Sequence, residues 1–506
     1  MANYKLSGKH TSVWMDTTKD TSYPPLSKES EFDVVVIGAG IAGLNTAFRL
    51  KSEGKKVAVI DRGKIASSVS GHTTAHISSA HSLIYDRLSV DFGERAKIYA
   101  DANQYAISEY ERIIKQKSIN CDFKRVDTYI FIEDEKRKAE YENEYNAALK
   151  FELPVTWVNE APLPFKNYGA IKYSNQAQFH PRKYLQSLAK LIDGQGSVIL
   201  ENTKAIDIKE DKDSIEIITE NGNLRAKNAV MTTHSPFLIR GNYFLKVEQY
   251  SSYVLGVYLK KELTRALFDS SDHYIRTFDT KEGQLVIIGG EDHKVGQEKS
   301  TLERYEVLEQ WVRDYLPVKR IAYQWCTQDN YSPEEVPLIG PYGAGYKRLF
   351  VATGFKGWGM THGMVTSKII TDCILKKDNP WLELYSPDRK TSLRTKFWGL
   401  QMNVNTAQAT ITGVIKKVPE RNIENIKEGN GKVILTQDKK MAVYKDTDGM
   451  THAVSAKCTH MGCIVGWNNA EQSWDCPCHG SRYTQDGKVI YGPALKNLEP
   501  YKKISK

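Results

Sequence analysis

The sequence predicts an α/β, Rossmann-like dinucleotide-binding domain with an inserted α+β domain, followed by a small all-β domain at the C-terminus. Three observations carry this. The apolar run Phe32–Ile37 leads directly into Gly38-Ala39-Gly40-Ile41-Ala42-Gly43, then into apolar residues at helical spacing, then into a second apolar run, Lys56–Ile60, that ends on Asp61. From Ile426 onward the pattern changes to short strands with turn signals at Asp438-Lys439-Lys440 and Asp446–Gly449. That last stretch also holds two Cys/His boxes, Cys458-Thr459-His460-Met461-Gly462-Cys463 and Cys476-Pro477-Cys478-His479-Gly480-Ser481.

A chain of 506 residues is too long for one ordinary core, and 41% hydrophobic residues suffice for two or three. We divide it into an N-terminal extension (1–30), a discontinuous dinucleotide-binding unit with its insertion (31–385), an interdomain helical linker (386–425) and the C-terminal domain (426–506). Thr128–Ile132, Val254–Leu259 and Gln284–Ile288 read as strands of the inserted domain, and Glu133–Lys150 as a charged helix. Leu393, Phe397, Trp398 and Leu400 are the expected apolar anchors of the linker, which lacks the Gly/Ser richness of a flexible tether. No apolar run approaches the roughly 18 residues of a membrane helix, and the first thirty residues lack a secretory signal. A cytoplasmic location follows as the expectation. The net charge of +9 is spread among acids without a basic block, which argues against nucleic acid. It fits a solvated surface or a docking face for an acidic electron-transfer partner.

In the first motif each glycine has a separate task. Gly38 permits the tight turn, Gly40 lets the backbone approach a pyrophosphate, and Gly43 lets the helix pack on the strand. The helix N-terminus faces the phosphates. Asp61, with Arg62 beside it, is placed for a ribose hydroxyl pair. This pattern alone does not separate FAD from NAD. A nicotinamide-dependent reductase would normally need a second fingerprint, and Gly343-Ala344-Gly345 is too short to be one.

The two Cys/His boxes read as a Rieske [2Fe–2S] centre, with Cys458 and Cys476 on one iron and His460 and His479 on the other. Two Cys and two His also suit tetrahedral zinc, but Cys463 and Cys478 would then have no role. Cys121, Cys326 and Cys373 are scattered and read as buried, inert thiols.

The C-terminal boxes resemble Rieske proteins of the respiratory cytochrome bc type. That resemblance implies a Cys463–Cys478 disulfide, hydroxyls of Ser481 and Tyr483 directed at sulfur, and a cluster-covering loop at Gly492-Pro493-Ala494. Upstream, Ser70–His76 (with Thr73 and Thr74), Gln178–Leu185, Pro337–Gly340 and Leu349–Thr361 resemble, in order, segments of the D-amino-acid oxidase superfamily. The resemblance implies FAD, with Ala205 near the adenine, Thr233 on the returning strand, and Gly354, Gly357, Trp358, Gly359, Met360 and Thr361 at the flavin. Nearly the whole chain is similar to bacterial FAD-dependent oxidoreductases of that superfamily with a C-terminal Rieske domain. This implies a dehydrogenase acting on an amine or amino-acid-like small molecule. Electrons would pass from flavin to cluster and on to an external acceptor such as an acidic redox protein or a quinone. The alternative is a reductase feeding a partner protein. For the substrate we expect Tyr274 and Arg276 to clamp a carboxylate, and Asp329 to attract a cationic amine.

Overall fold

The computed structural model describes residues 7–391, 393–415, 423–436 and 439–501. Its centre is an eight-stranded sheet whose parallel core runs Tyr346–Thr353, Gly222–Met231, Ser30–Ile37, Val57–Ile60, Val198–Leu200. Val34–Val36 and Val57–Ile60 are fully buried, as continuous apolar runs covered on both faces should be. The helix Ile41–Ser52 follows the glycine turn and lies against the helix Gly359–Ile374. The two helices come close at Gly363, where a Cβ would lie 3.0 Å from Ile41, and Gly43 packs the first helix on its own turn, where a Cβ would lie 1.9 Å from the Gly38 carbonyl oxygen.

The inserted domain is a ten-stranded mixed sheet containing Lys124–Phe131, Glu248–Leu259, His273–Thr280, Gly283–Lys294 and Val318–Tyr331. The three expected strands lie within it or overlap it, each observed strand being longer than its apolar signal. The expected charged helix begins only at Lys138, after a 3₁₀ turn. The N-terminal stretch packs on the rest of the unit. Lys9–His10 pairs with the strand Val318–Tyr331, and the fully buried Trp14 donates its indole N–H to the Thr73 carbonyl at 2.6 Å.

The C-terminal domain has a core of its own, built on Val454, Trp474 and Tyr483. A three-stranded sheet (Asn430–Thr436, Lys439–Lys445, Thr451–Ser455) and a four-stranded one (Gly466–Asn468, Ser473–Asp475, Arg482–Tyr483, Val489–Tyr491) frame it. Lys439 and Lys440 open a strand rather than a turn, and Asp438 lies outside the described residues.

The linker holds a helix, Leu393–Ile415, with residues 392 and 416–422 of the linker outside the described set. The expected anchoring fails at three of its four residues: Phe397 is 64% exposed, Trp398 50% and Leu400 61%, while the side chain of Leu393 lies outside the described set. The inward side is polar and small instead: Thr395 is buried, Gly399 faces Pro333, and Asn403 donates to the Gly399 carbonyl at 2.8 Å.

Candidate functional site

A cavity of about 790 Å³ opens between the two large sheets. Gly38, Gly40, Asp61, Arg62, Thr73, Thr74, Ala205, Thr233, Gly354, Gly357, Trp358, Gly359 and Met360 line it, so the structure brings together nearly all the residues expected at a dinucleotide. Gly38 sits at φ +110°, where a Cβ would meet the Thr232 carbonyl at 2.6 Å; only glycine fits there. The buried carboxylate of Asp61 accepts the Ala39 and Gly63 N–H groups, each at 2.8 Å, and so shapes the turn from below. Gly43 and Thr361 are not on the wall. Gly43 works in packing, and the Thr361 hydroxyl lies 3.2 Å from His81 Nε2. His76 lines the cavity and its buried Nε2 has no partner in the protein. Together with the side-chain-free glycine path, this fits a bound FAD.

The far end of the cavity is acidic. Asp269, Asp292 and Asp329 line it with Tyr274 and Tyr331. Burial pushes the carboxyls of Asp269 and Asp329 up to about 7, and desolvation inside the cavity raises the more solvent-open Asp292 less, to about 6. Ser82 donates to Asp269 at 3.2 Å and Tyr331 to Asp292 at 3.0 Å. The Gly357 N–H holds Asp329. Among the described residues no Lys or Arg forms an ion pair with any of the three. The nearby cations are taken: Lys356 and Arg87 both pair with Glu335, the latter at 2.7 Å, and despite burial they hold that carboxyl at about 2. Tyr274 is seated over Gly289, where a Cβ would approach its ring to 2.0 Å.

Arg276 does not reach this chamber. It is buried under Trp14 and donates to Gln178 Oε1 (2.9 Å) and to the carbonyls of Thr74 (2.6 Å), Ala75 (3.0 Å) and Phe179 (2.7 Å). With four of its five N–H donors engaged behind the cavity wall, it braces the loop there and cannot clamp a carboxylate in the chamber. Sequence reading missed Asp269 and Asp292. For Asp269 the available signal was an acid closing the apolar strand Leu267–Asp269, whereas Asp292 lies in the polar end Glu291–Lys294 of its strand and carried none.

In the C-terminal domain Cys463 and Cys478 form a disulfide. Cys458 and Cys476 remain free and buried. The Cys476 sulfur lies within 4.8 Å of both disulfide sulfurs, but bonded sulfurs have no thiolate to offer a metal. The ligand set that fits is therefore the pair of free thiols and the pair of histidines. The imidazoles of His460 and His479 are 5.0 Å apart, edge to face. His460 Nδ1 and both nitrogens of His479 are buried without a partner. Burial lowers both rings to about 4, so they are neutral at pH 7, as metal ligation by imidazole requires. Cys476 beside it lowers the Cys458 thiol, and the Tyr483 hydroxyl, 3.1 Å from Cys458 Sγ, adds to this. Ser481 Oγ accepts the Ala494 N–H at 3.0 Å, which draws the Gly492–Ala494 loop over the same end.

The two sites share a wall. Tyr491, Gly492, Pro493, Ala494 and Leu495 line the dinucleotide cavity. Arg62 donates to the Ile490 carbonyl and Lys204 to that of Leu495. On the histidine side, Gln328 donates to the Gly480 carbonyl at 2.8 Å and to Gln249; Gln249 donates to Ser235 Oγ at 2.5 Å, and Ser235 lines the cavity. Phe244 packs edge-on against both imidazoles, at 5.4 and 5.1 Å.

Fold and sites define a class: a flavoprotein oxidoreductase fused to a Rieske module. Residues 33–373 match the DAO family, FAD dependent oxidoreductase, and residues 416–502 match the Rieske [2Fe-2S] domain. The chain is 33% identical to the Rieske 2Fe-2S iron-sulfur protein YhfW of Bacillus subtilis (strain 168), with 96% of each chain covered. Over 78 residues, 15% of this chain and 42% of the other, it is 46% identical to the cytochrome b6-f complex iron-sulfur subunit of Chlorobaculum tepidum (strain ATCC 49652 / DSM 12025 / NBRC 103806 / TLS). Among solved structures, glycine oxidase from Geobacillus kaustophilus superposes with TM-score 0.62 at 17% identity, covering 72% of this chain and 100% of that one. L-Amino acid deaminase from Proteus myxofaciens gives 0.61 at 17%, covering 76% and 97%. The protein belongs to the DAO family of FAD-dependent oxidoreductases and carries a C-terminal Rieske domain; its cofactors are FAD and a [2Fe–2S] cluster. No described helix is long and apolar enough to cross a membrane.

Proposed function

We propose that the chain is a dehydrogenase of cationic amines that sends its electrons out through the Rieske cluster. The observation that carries this reading is the shared cavity, walled at once by the glycine turn, by three carboxylates without cationic partners, and by the loop of the C-terminal domain. Bound FAD would supply the conversion of a two-electron oxidation of a C–H bond beside nitrogen into single-electron release, for which a one-electron cluster is the suitable acceptor. The chain's own residues do the rest. Asp269, Asp292 and Asp329 hold an ammonium group. Tyr274 and Tyr331 close the chamber around it. An α-amino-acid carboxylate would meet these acids with no free Arg to receive it, which favours an amine over an amino acid. Cys458, Cys476, His460 and His479 are the proposed ligands, with Ser481 and Tyr483 tuning the sulfurs. Anaerobic mixing with a panel of amines and amino acids tests the reading: amines should bleach the flavin, whereas bleaching by α-amino acids alone or by NADH would refute it.

The acids also make a pH prediction. In the unfolded chain Asp titrates near 3.9, whereas Asp329 titrates at about 7 in the fold. The folded state therefore keeps a proton that the unfolded state has lost, and substrate-free stability falls as pH rises from about 4 to about 7. A bound cation offsets the penalty. Asp329→Asn should raise the substrate-free melting free energy at pH 8 by about 1–2 kcal/mol after allowing for solvent screening, and weaken amine binding by roughly tenfold or more. Scanning calorimetry at pH 5 and 8 checks the sign; an Asn variant that is less stable at pH 8 contradicts it.

Tyr483→Phe and Ser481→Ala should each lower the cluster potential without loss of iron. A hydrogen bond worth about 1 kcal/mol corresponds to about 40 mV for a one-electron couple. Redox titration followed by EPR reads the shift, and unchanged potentials in both would show that neither hydroxyl reaches the cluster.

A further inference from the structure

The helix Leu393–Ile415 is amphipathic in the wrong sense for a linker. Its polar and small side faces the protein. Asn403 donates to the Leu245 carbonyl at 3.5 Å, and Asn405 Oδ1 accepts from Lys294 at 3.2 Å and Gln297 at 3.0 Å. These contacts fix the helix so that Phe397, Leu400 and Val404, at helical spacing, look outward, with Trp398 beside them. The sequence repeats the spacing at Ala407, Ile411 and Ile415. Leu245, 40% exposed, extends the apolar surface on the neighbouring turn. The charges are one-sided. Lys390, Arg394, Lys396, Lys416 and Lys417 fall within or beside the helix, and no Asp or Glu occurs from Lys390 to Pro419.

We infer that this helix is an interfacial membrane anchor, which lies in the surface of an anionic lipid bilayer with its apolar stripe among the acyl chains and its lysines among the headgroups. Three features select this occupant. An outward apolar stripe on a helix held by its polar side needs a partner with an apolar interior. Aromatic residues beside basic ones suit the boundary between headgroups and chains. The uniform positive charge is complementary to anionic lipid. The same stripe could form a coiled coil with a second copy, but the flanking positions would then bring Arg394 and Lys396 of both copies together with no acid to pair them. The location gives the contact a use. Leu245 follows Phe244, which packs on His460 and His479, so the helix seats the histidine side of the C-terminal domain toward the lipid surface. The inference stands whatever the substrate is.

Sedimentation of the full-length protein, loaded with both cofactors, with phosphatidylglycerol or phosphatidylcholine vesicles tests it. Binding to phosphatidylglycerol is expected at low salt, at least about tenfold tighter than to phosphatidylcholine and weakened by salt. Phe397→Ser combined with Leu400→Ser should lose that binding by a further factor of about ten or more, while FAD and cluster absorbance are unchanged, since both side chains are exposed. Lys396→Glu should weaken binding to the anionic vesicles only. No binding of the unmodified protein to phosphatidylglycerol overturns the inference. So does a dimer dissolved by the Ser substitutions with vesicle binding unaffected.

Discussion

Substituting His460→Cys is expected to leave amine-driven bleaching of the flavin intact in a single turnover and to cut steady-state turnover with a one-electron acceptor by roughly two orders of magnitude. Losing even an outer partner of a metal ligand commonly costs 10–100-fold, and a ligand itself costs at least as much. The two halves of this result separate because the acidic chamber and the glycine turn are built on the two large sheets, whereas His460 lies in a domain with a separate core. The disulfide Cys463–Cys478 and the docking bonds from Arg62, Lys204 and Gln328 do not involve the substituted side chain. The domain therefore stays in place and only its metal chemistry changes. If the C-terminal domain were a brace rather than a conductor, turnover would survive the substitution.

Gly40→Val is expected to abolish FAD binding, by roughly a hundredfold or more in affinity, with the Rieske EPR signal retained. Gly40 has φ −89°, which any residue adopts, so the substitution is not a backbone strain. A Cβ there meets only the Ser70 hydroxyl, at 3.0 Å, but the branched side chain occupies the space through which the pyrophosphate must approach the turn. A hundredfold corresponds to about 2.7 kcal/mol, which the loss of that backbone approach readily accounts for. Gly43→Ala makes the contrast. Its Cβ would overlap the Gly38 carbonyl at 1.9 Å, so it should destabilise the fold itself rather than empty a folded site. Flavin absorbance and thermal unfolding of the two variants distinguish these outcomes; FAD-replete Gly40→Val protein would remove the turn from the cofactor site.

Much of the architecture was legible because it rests on local rules. A parallel strand buried on both faces, a glycine turn and a following helix leave a mark within thirty residues. So do two Cys/His boxes whose spacing admits few coordination chemistries. What stayed hidden was decided by partners distant in sequence. Arg276 follows Tyr274 by two residues on one strand, and nothing local shows that its guanidinium is held by Gln178 and three carbonyls from other segments. Asp269 and Asp292 come together only when the large sheet brings their strands to one cavity. The linker misled for the opposite reason. Its apolar spacing was readable, but spacing gives a stripe without saying which way the stripe faces, and Asn403 and Asn405 turn it outward.

Electrons are expected to pass within one chain from the flavin site to the cluster. Anaerobic photoreduction of the flavin with light and EDTA, followed by rapid-freeze EPR, tests this without knowledge of the substrate. The FAD-free Gly40→Val protein serves as the control for direct reduction of the cluster. The predicted result is a Rieske signal that grows after the flavin bleaches, at the same first-order rate in dilute and concentrated protein, and does not grow in the control. A cluster that stays oxidised beside fully reduced flavin, or a rate that rises with protein concentration, would contradict it.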